Sequence, residues 1–297
     1  MTANSDRRSL TATKRRSGRT LFVLCLTVIA ALAALLSPYW LPLVTQDFDA
    51  NAISIERAQR HWRASMGLSM PGEPDLARLT QRLAENGLVE GAPVMMRIFK
   101  REFELELWMK RDGLFHRFAI YPICRWSGGL GPKATQGDRQ APEGFYTVDQ
   151  SALNPQSRWH RSFNLGYPNA YDRSNARTGS LIMVHGGCAS VGCFAMTNAQ
   201  IDEIWKLVTG ALSGGQKRFQ VQVYPFRMAE EKLASYAGSS NESFWRDLKR
   251  GSDLFEANLL PPKVYVCRNR YQFEPGGGNP DGDGTIEARC PPATPKS

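Results

Sequence analysis

Two side chains suited to acyl-transfer chemistry lie eight residues apart in Leu181-Ile-Met-Val-His185-Gly-Gly-Cys188-Ala-Ser-Val-Gly192-Cys193-Phe-Ala-Met196. A free thiol titrates near pH 8.5, so at neutral pH a neighbouring base must take its proton before it can attack a carbonyl. His185 is the only histidine within twenty residues of either cysteine. This pattern assigns His185 as base and Cys193 as nucleophile. Gly192 precedes the thiol residue, where a missing Cβ lets backbone N–H groups approach a ligand and stabilise a tetrahedral oxyanion. No carboxylate is close enough in sequence to orient the imidazole, so a backbone carbonyl or a distant side chain must do so.

Other readings of the same residues are weaker. Cys188, which also follows a glycine, Gly187, is the alternative nucleophile. A zinc site on His185, Cys188 and Cys193 has no second cysteine pair to complete it, so no metal or cofactor is expected. A buried thiol beside a satisfied histidine is the non-catalytic alternative. Asn279–Ile286 begins like a calcium loop, but its twelfth position is Cys290 rather than glutamate, which makes it a turn-rich tail. Gly128-Gly-Leu-Gly131-Pro-Lys133 lacks the strand and helix frame of a phosphate loop. It reads as a surface loop beside the site. His61, His116 and His160 carry no assigned role.

The elements that must position the pair alternate between helix and strand periods. Ile53–Met66 and Asp75–Leu88 read as amphipathic helices separated by Pro71-Gly-Glu-Pro74. From Pro93 the period is two, giving strands at Val94–Phe99, Phe103–Met109 and Leu114–Cys124, with Asp112-Gly113 as a hairpin turn. Leu105, Leu107 and Met109 alternate with Glu104, Glu106 and Trp108, as in a sheet with one wetter face. Arg125–Asn175 reads as a long aromatic-bearing loop. Ser180–Val184 is the strand that delivers His185. Thr197-Asn-Ala-Gln200 forms a capping box, with Met196 and Ile201 as its hydrophobic staple. Further elements are a helix from Ile201, a strand at Arg218–Tyr224, helices at Met228–Tyr236 and Ser243–Asn258, and a strand at Lys263–Arg268 before a Gly/Pro-rich loop.

The first 20 residues carry six bases and one acid, followed by an uncharged stretch from Leu21 to Gln46. That pattern predicts a cytoplasmic basic segment (1–20) and a single-pass signal-anchor (21–44), with the remainder in the periplasm. A cleaved signal at Ala31-Leu-Ala33 is the alternative. Removing the leader's six bases and one acid from the 37 and 28 of the whole chain leaves 31 against 27, a net of +4. That mild excess argues against nucleic acid and suits an anionic wall polymer. Beyond Cys25, five cysteines remain, an odd number that leaves at least one free or paired between chains. Cys267 and Cys290 flank the C-terminal loop and are the expected disulfide, although all five could be isolated small hydrophobes.

Ser190-Val-Gly192-Cys193 after a strand ending in His-Gly resembles the signature of the YkuD-type L,D-transpeptidases. Pro142-Glu-Gly144-Phe-Tyr146 is similar to a strand start of that family. Trp126-Ser-Gly-Gly-Leu-Gly-Pro-Lys133, Gly137-Asp-Arg139, Asn164-Leu-Gly-Tyr-Pro-Asn-Ala-Tyr-Asp-Arg173 and Met183-Val-His-Gly186 resemble the YafK-like branch. The resemblance spans roughly Met95–Phe226. It implies a mainly β fold with flanking helices (α+β), a single catalytic sheet domain (93–227) behind the membrane helix. A helical linker (45–92) precedes it, and C-terminal helices and tail (228–297) follow.

By position, the resemblance implies Cys193 as nucleophile, His185 as base and Gly186 as the source of the orienting carbonyl. Gly192, Ser190, Arg139, Arg173 and Tyr167 become substrate-binding candidates, with Lys133 a further partner for stem-peptide carboxylates. The implied partners are peptidoglycan, a wall-linked lipoprotein and the inner membrane. The family motif has histidine before Gly-Cys and arginine two residues after the cysteine, whereas this chain has Val191 and Ala195. Those departures, with the YafK-like likeness, favour hydrolysis of the peptidoglycan–lipoprotein amide through a thioester. Transpeptidation, or a non-catalytic wall-binding scaffold, is the alternative.

Overall fold

The computed structural model describes residues 10–278 and 285–292. The chain divides into two units, Met1–Asn51 and Ala52–Ser297. Helix α1 runs Leu10–Leu35 and α2 runs Ser37–Ser65, with a break at Leu36 inside the expected 21–44 span. Among the described residues no helix is long and apolar enough to cross a membrane. The α1 stretch from Phe22 to Leu35 nonetheless exposes large apolar side chains, including Phe22, Leu24 and Ile29.

In the second unit a 3₁₀ turn leads into α3 (Leu79–Glu85). The strands follow: β1 (Val94–Phe99), β2 (Glu104–Arg111), β3 (Leu114–Pro122) and β4 (Arg125–Trp126). Next come β5 (Gly144–Asp149), β6 (Leu153–Ser157), β7 (His160–Asn164), α4 (Ala170–Ser174), β8 (Met183–His185) and β9 (Phe194–Ala195). Helix α5 (Asn198–Ser213), β10 (Arg218–Tyr224), α6 (Glu230–Ala234), α7 (Glu242–Asn258), β11 (Lys263–Cys267), β12 (Arg270–Glu274) and β13 (Ile286–Glu287) complete it.

Three sheets result. The central sheet has the order β3-β2-β1-β10-β5, and the site sheet has the order β4-β9-β8-β7-β6. A small sheet, β12-β11-β13, lies in the C-terminal segment. The β2–β3 hairpin turns at Asp112 and Gly113, both with positive φ (52° and 87°), as the two-residue primed turn requires.

One face of the central sheet, through Met96, Leu107 and Val221, shares a core with Ile201, Ile204 and Val208 of α5. Phe163, Val184 and Phe194 of the site sheet join the same core. The other face packs on α7, where Arg97 of β1 donates to Ser252 Oγ at 2.7 Å. Both faces are therefore covered. Glu106, expected on a wetter face, is buried, and its carboxylate accepts from Trp108, Arg117 and Arg227.

Arg125–Asn175, expected as a loop, holds four strands and a helix. Its strands are short and their alternation is broken by Gly, Pro and Asn, so the period-two signal is weak there. Thr197 and Gln200 form the expected capping box at the start of α5. The tail beyond β11 forms β12 rather than continuous loop. Most of the calcium-loop-like segment lies outside the described residues.

Candidate active site

Strand β8 places Val184 in the core and turns its neighbours Met183 and His185 outward, the consequence of side chains alternating along a strand. β9 runs parallel to β8, with Val184 opposite Phe194 and His185 opposite Ala195. Phe194 fills the core, so Cys193 and Ala195 face the same side as His185. His185 and Cys193 are diagonal neighbours across two adjacent strands, about 8 Å apart at Cα by strand spacing and rise. Both line one cavity of about 690 Å3.

The connection between the two strands is pinned on all sides. Met196 N donates to His185 O at 2.7 Å, and Cys188 N donates to Met196 O at 3.2 Å. A disulfide joins Cys188 to Cys124, the residue before β4 (Cα–Cα 5.3 Å). Cys124 N in turn donates to Ala195 O at 2.9 Å. Gly186 is required by packing: a Cβ there would lie 2.7 Å from Asn198 Oδ1 and 3.1 Å from Trp159 O. Asn198 holds the turn by accepting from Gly187 N at 2.9 Å. Gly192 sits at φ 104°, a conformation that glycine adopts without strain.

His185 Nδ1 lies 2.6 Å from Gly186 O. A carbonyl only accepts, so Nδ1 carries the proton and Nε2 keeps the free lone pair. The imidazole is 3% exposed, and burial pushes its pKa below the ordinary 6.5 although the Gly186 carbonyl acts the other way. The half-buried thiol of Cys193 is pushed up from 9.0 by burial, opposed by the Met183 N–H and by the positive charge of Lys133. Met183 N donates to Cys193 Sγ at 3.4 Å. Burial thus favours the neutral form of each partner, thiol and imidazole alike.

The disulfides decide among the cysteines. Cys124–Cys188 and Cys267–Cys290 are bonded, leaving Cys193 and Cys25 free. Cys188 is thereby removed both as a nucleophile and as a zinc thiolate. Cys267–Cys290 is the pair expected from the C-terminal loop.

The substrate-binding candidates scatter. Ser190 lines the cavity, and its Oγ donates to Cys193 O at 2.6 Å while its own carbonyl accepts from Ser127 Oγ at 2.8 Å. It fixes the thiol residue's backbone. Arg139 lines a second cavity that also includes Ser190. Arg173 donates to Pro168 O and lines a different cleft with Asn169 and Arg218, so it is not brought to the thiol. Tyr167 is buried, with its hydroxyl donating to Lys133 O at 3.2 Å. Lys133 is itself buried and engaged by Asp138 and Thr135 O.

Several cavity-lining residues escaped sequence reasoning, among them His61, Arg125, Asn154, Ser157, Arg158 and Trp159. The Trp159 ring lies 6.0 Å from the His185 ring. Only Arg125 left a trace in the sequence, as the residue after a cysteine at the end of a strand run.

Residues 104–230 match the family model described as the YkuD L,D-transpeptidase catalytic domain. The chain is 48% identical over 181 residues to YafK of Escherichia coli K12, a candidate L,D-transpeptidase by name, covering 61% of this chain and 74% of that one. The same protein of E. coli O157:H7 matches equally. Among solved structures, the helical cell shape determining protein Pgp2 of Campylobacter jejuni aligns at TM-score 0.38 with 20% identity, over 62% of this chain and 66% of that one. Bd1075 of Bdellovibrio bacteriovorus aligns at 0.32 with 16% identity, over 56% and 57%. The chain belongs to the YkuD-type L,D-transpeptidase family, in its YafK-like branch, and as such is an enzyme that acts on peptidoglycan.

Proposed function

We propose that this protein is a cysteine enzyme that hydrolyses the amide tying a lipoprotein to peptidoglycan at diaminopimelate. The observation that carries this reading is the placement of the one free thiol beyond residue 51 on the same strand-pair face as His185, inside one cavity. His185 Nε2 takes the thiol proton as Cys193 Sγ attacks the carbonyl carbon. The backbone N–H groups flanking Cys193 stabilise the tetrahedral oxyanion. Collapse expels the amine, which leaves with the proton held by His185, and a thioester remains on Cys193. Water, deprotonated by the same imidazole, then releases the acid and the thiol. Burial favours the neutral form of both partners, so the thiolate forms only as the carbonyl arrives.

The preference for water over an amine acceptor rests on the YafK-like relationship and on Val191 and Ala195, where the family motif has histidine and arginine. The periplasmic setting rests on the basic segment, the exposed apolar stretch of α1 and the two disulfides, which persist in oxidising compartments. We assign the uncharged stretch 21–44 as the membrane anchor. Membrane fractionation of the full chain checks that assignment, and recovery in the soluble periplasmic fraction would refute it.

The decisive experiment incubates the protein and its Cys193→Ser variant with lipoprotein-linked sacculi and weighs the products. Free lipoprotein and a stem peptide with a restored carboxylate are expected from the parent protein alone. Cross-linked stem-peptide dimers without released lipoprotein would establish transpeptidation instead. Identical products from both proteins would exclude thiol catalysis and leave the wall-binding scaffold.

A further inference from the structure

A second cavity, of about 510 Å3, lies beside the thiol cavity and includes Arg57, Arg125 and Arg139 in its lining. The two share Arg125, Ser190 and Val191, so they meet along the loop that ends in Cys193. Register explains how Arg125 reaches both. β4 pairs antiparallel with β9, placing Arg125 directly opposite Ala195. Directly opposed residues point to the same face of a sheet, which is the face of Cys193 and His185. Ala195 ends at Cβ and leaves room there for the long side chain of its neighbour.

Arg57 approaches from α2. Its guanidinium stacks on the Trp126 ring at 4.9 Å, and Nη2 donates to Gly128 O at 2.9 Å. Its Nε is buried and has no partner among the described residues. Burial and the charge of Arg125 together lower its pKa, as when like charges are held close. Asp138 is the one carboxylate in this lining, and it is already engaged by Lys133 and by the amides of Ala134, Thr135 and Gln140. Among the described residues neither Arg125 nor Arg139 has a side-chain ion pair. Three guanidiniums thus face one satisfied carboxylate.

We propose that Arg57, Arg125 and Arg139 form a carboxylate-binding subsite that holds a free carboxylate of the stem peptide while the neighbouring carbonyl is attacked at Cys193. The ligand's identity rests on the function proposed above, whereas the cationic cleft does not. Diaminopimelate has two amino-acid centres, so acylation at one leaves the other's carboxylate free. A planar guanidinium fork pairs with carboxylate through two parallel hydrogen bonds. Arg125, lining both cavities, sets the distance between that carboxylate and the thiol.

The test uses the full chain carrying Cys193→Ala, titrated calorimetrically with a soluble tripeptide ending in diaminopimelate. A second titration uses the same peptide amidated at the carboxylate distal to the peptide bond. The free acid is expected to bind about tenfold tighter or more, the range of a charge-assisted pair. Arg125→Gln should weaken the free acid by a similar factor, leave the amide unchanged and so abolish the difference. Arg139→Gln, in an exposed loop, should narrow it without touching the fold. Equal binding of the two peptides, no binding of either, or an amidation penalty that survives in both variants would overturn the subsite. Failure of the catalytic reading looks different: lipoprotein release would persist in Cys193→Ser while the selectivity for the free acid remained.

Discussion

The central sheet and the site sheet share a core but are held by different forces. β1, β2 and β10 run six to eight residues and bury most of their side chains, with Leu107, Met96 and Val221 wholly enclosed. β8 and β9 are three and two residues long. Each gives one side chain to the core, Val184 or Phe194, while Met183 and His185 of β8 and Cys193, just before β9, line a cavity. Apolar burial alone cannot fix so short a pair. Backbone hydrogen bonds closed on Met196 and Ala195, the Cys124–Cys188 bond and the packing of Gly186 against α5 do that instead. The long sheet supplies stability and the short one supplies geometry.

Substitutions should separate the two roles. Cys193→Ala should cost about 10⁴-fold or more in kcat and shift stability by no more than about 0.5 kcal/mol. Product release and a thermal melt on the same preparation read both. Leu107→Ala in the central sheet should do the opposite, destabilising by about 2–5 kcal/mol with turnover per folded molecule unchanged. A drop in turnover without a drop in melting temperature would blur the division. Replacing both Cys124 and Cys188 by alanine should lower stability by about 2–4 kcal/mol and also reduce kcat, because the bond anchors the turn between His185 and Cys193. The same change at Cys267 and Cys290 should affect stability alone. Equal effects of the two disulfides on kcat would show that the site does not depend on its staple.

The smallest effect is in the pH profile. A base pushed below the ordinary 6.5 stays deprotonated, and thus competent, until the pH falls through that lowered value. The acid limb of kcat/KM should therefore lie below pH 6.5. The thiol, raised from 9.0, should alkylate slowly at neutral pH and faster only as the medium becomes strongly basic. Rapid alkylation of the resting enzyme at pH 7 would reveal a preformed thiolate and contradict the neutral pair.

The same contrast governs what could be read from sequence. β1 was legible from its nearly continuous apolar run, β10 from the alternation of Phe219, Val221 and Val223 with Gln220 and Gln222, and the hairpin because Asp112-Gly113 fits one turn type. Thr197 and Gln200 announced α5 because capping is local chemistry. The strands between Arg125 and Asn175 were not legible: they are stabilised by partners far along the chain, such as Arg125 on Ala195 and Phe163 on Val184. Arg173 and Tyr167, singled out by motif, are not among the residues that line the thiol cavity.

By itself the sequence determined the candidates: one histidine and two cysteines in a glycine-rich segment, an odd cysteine count beyond Cys25, and the alternation that turns Met183 and His185 away from Val184. Tertiary structure decided which cysteine stayed free and which arginines share the cavities beside Cys193. Local periodicity and capping are encoded within a few residues. The Cys124–Cys188 bond and the β4–β9 register join segments 60 or more residues apart, brought together only when the core closes.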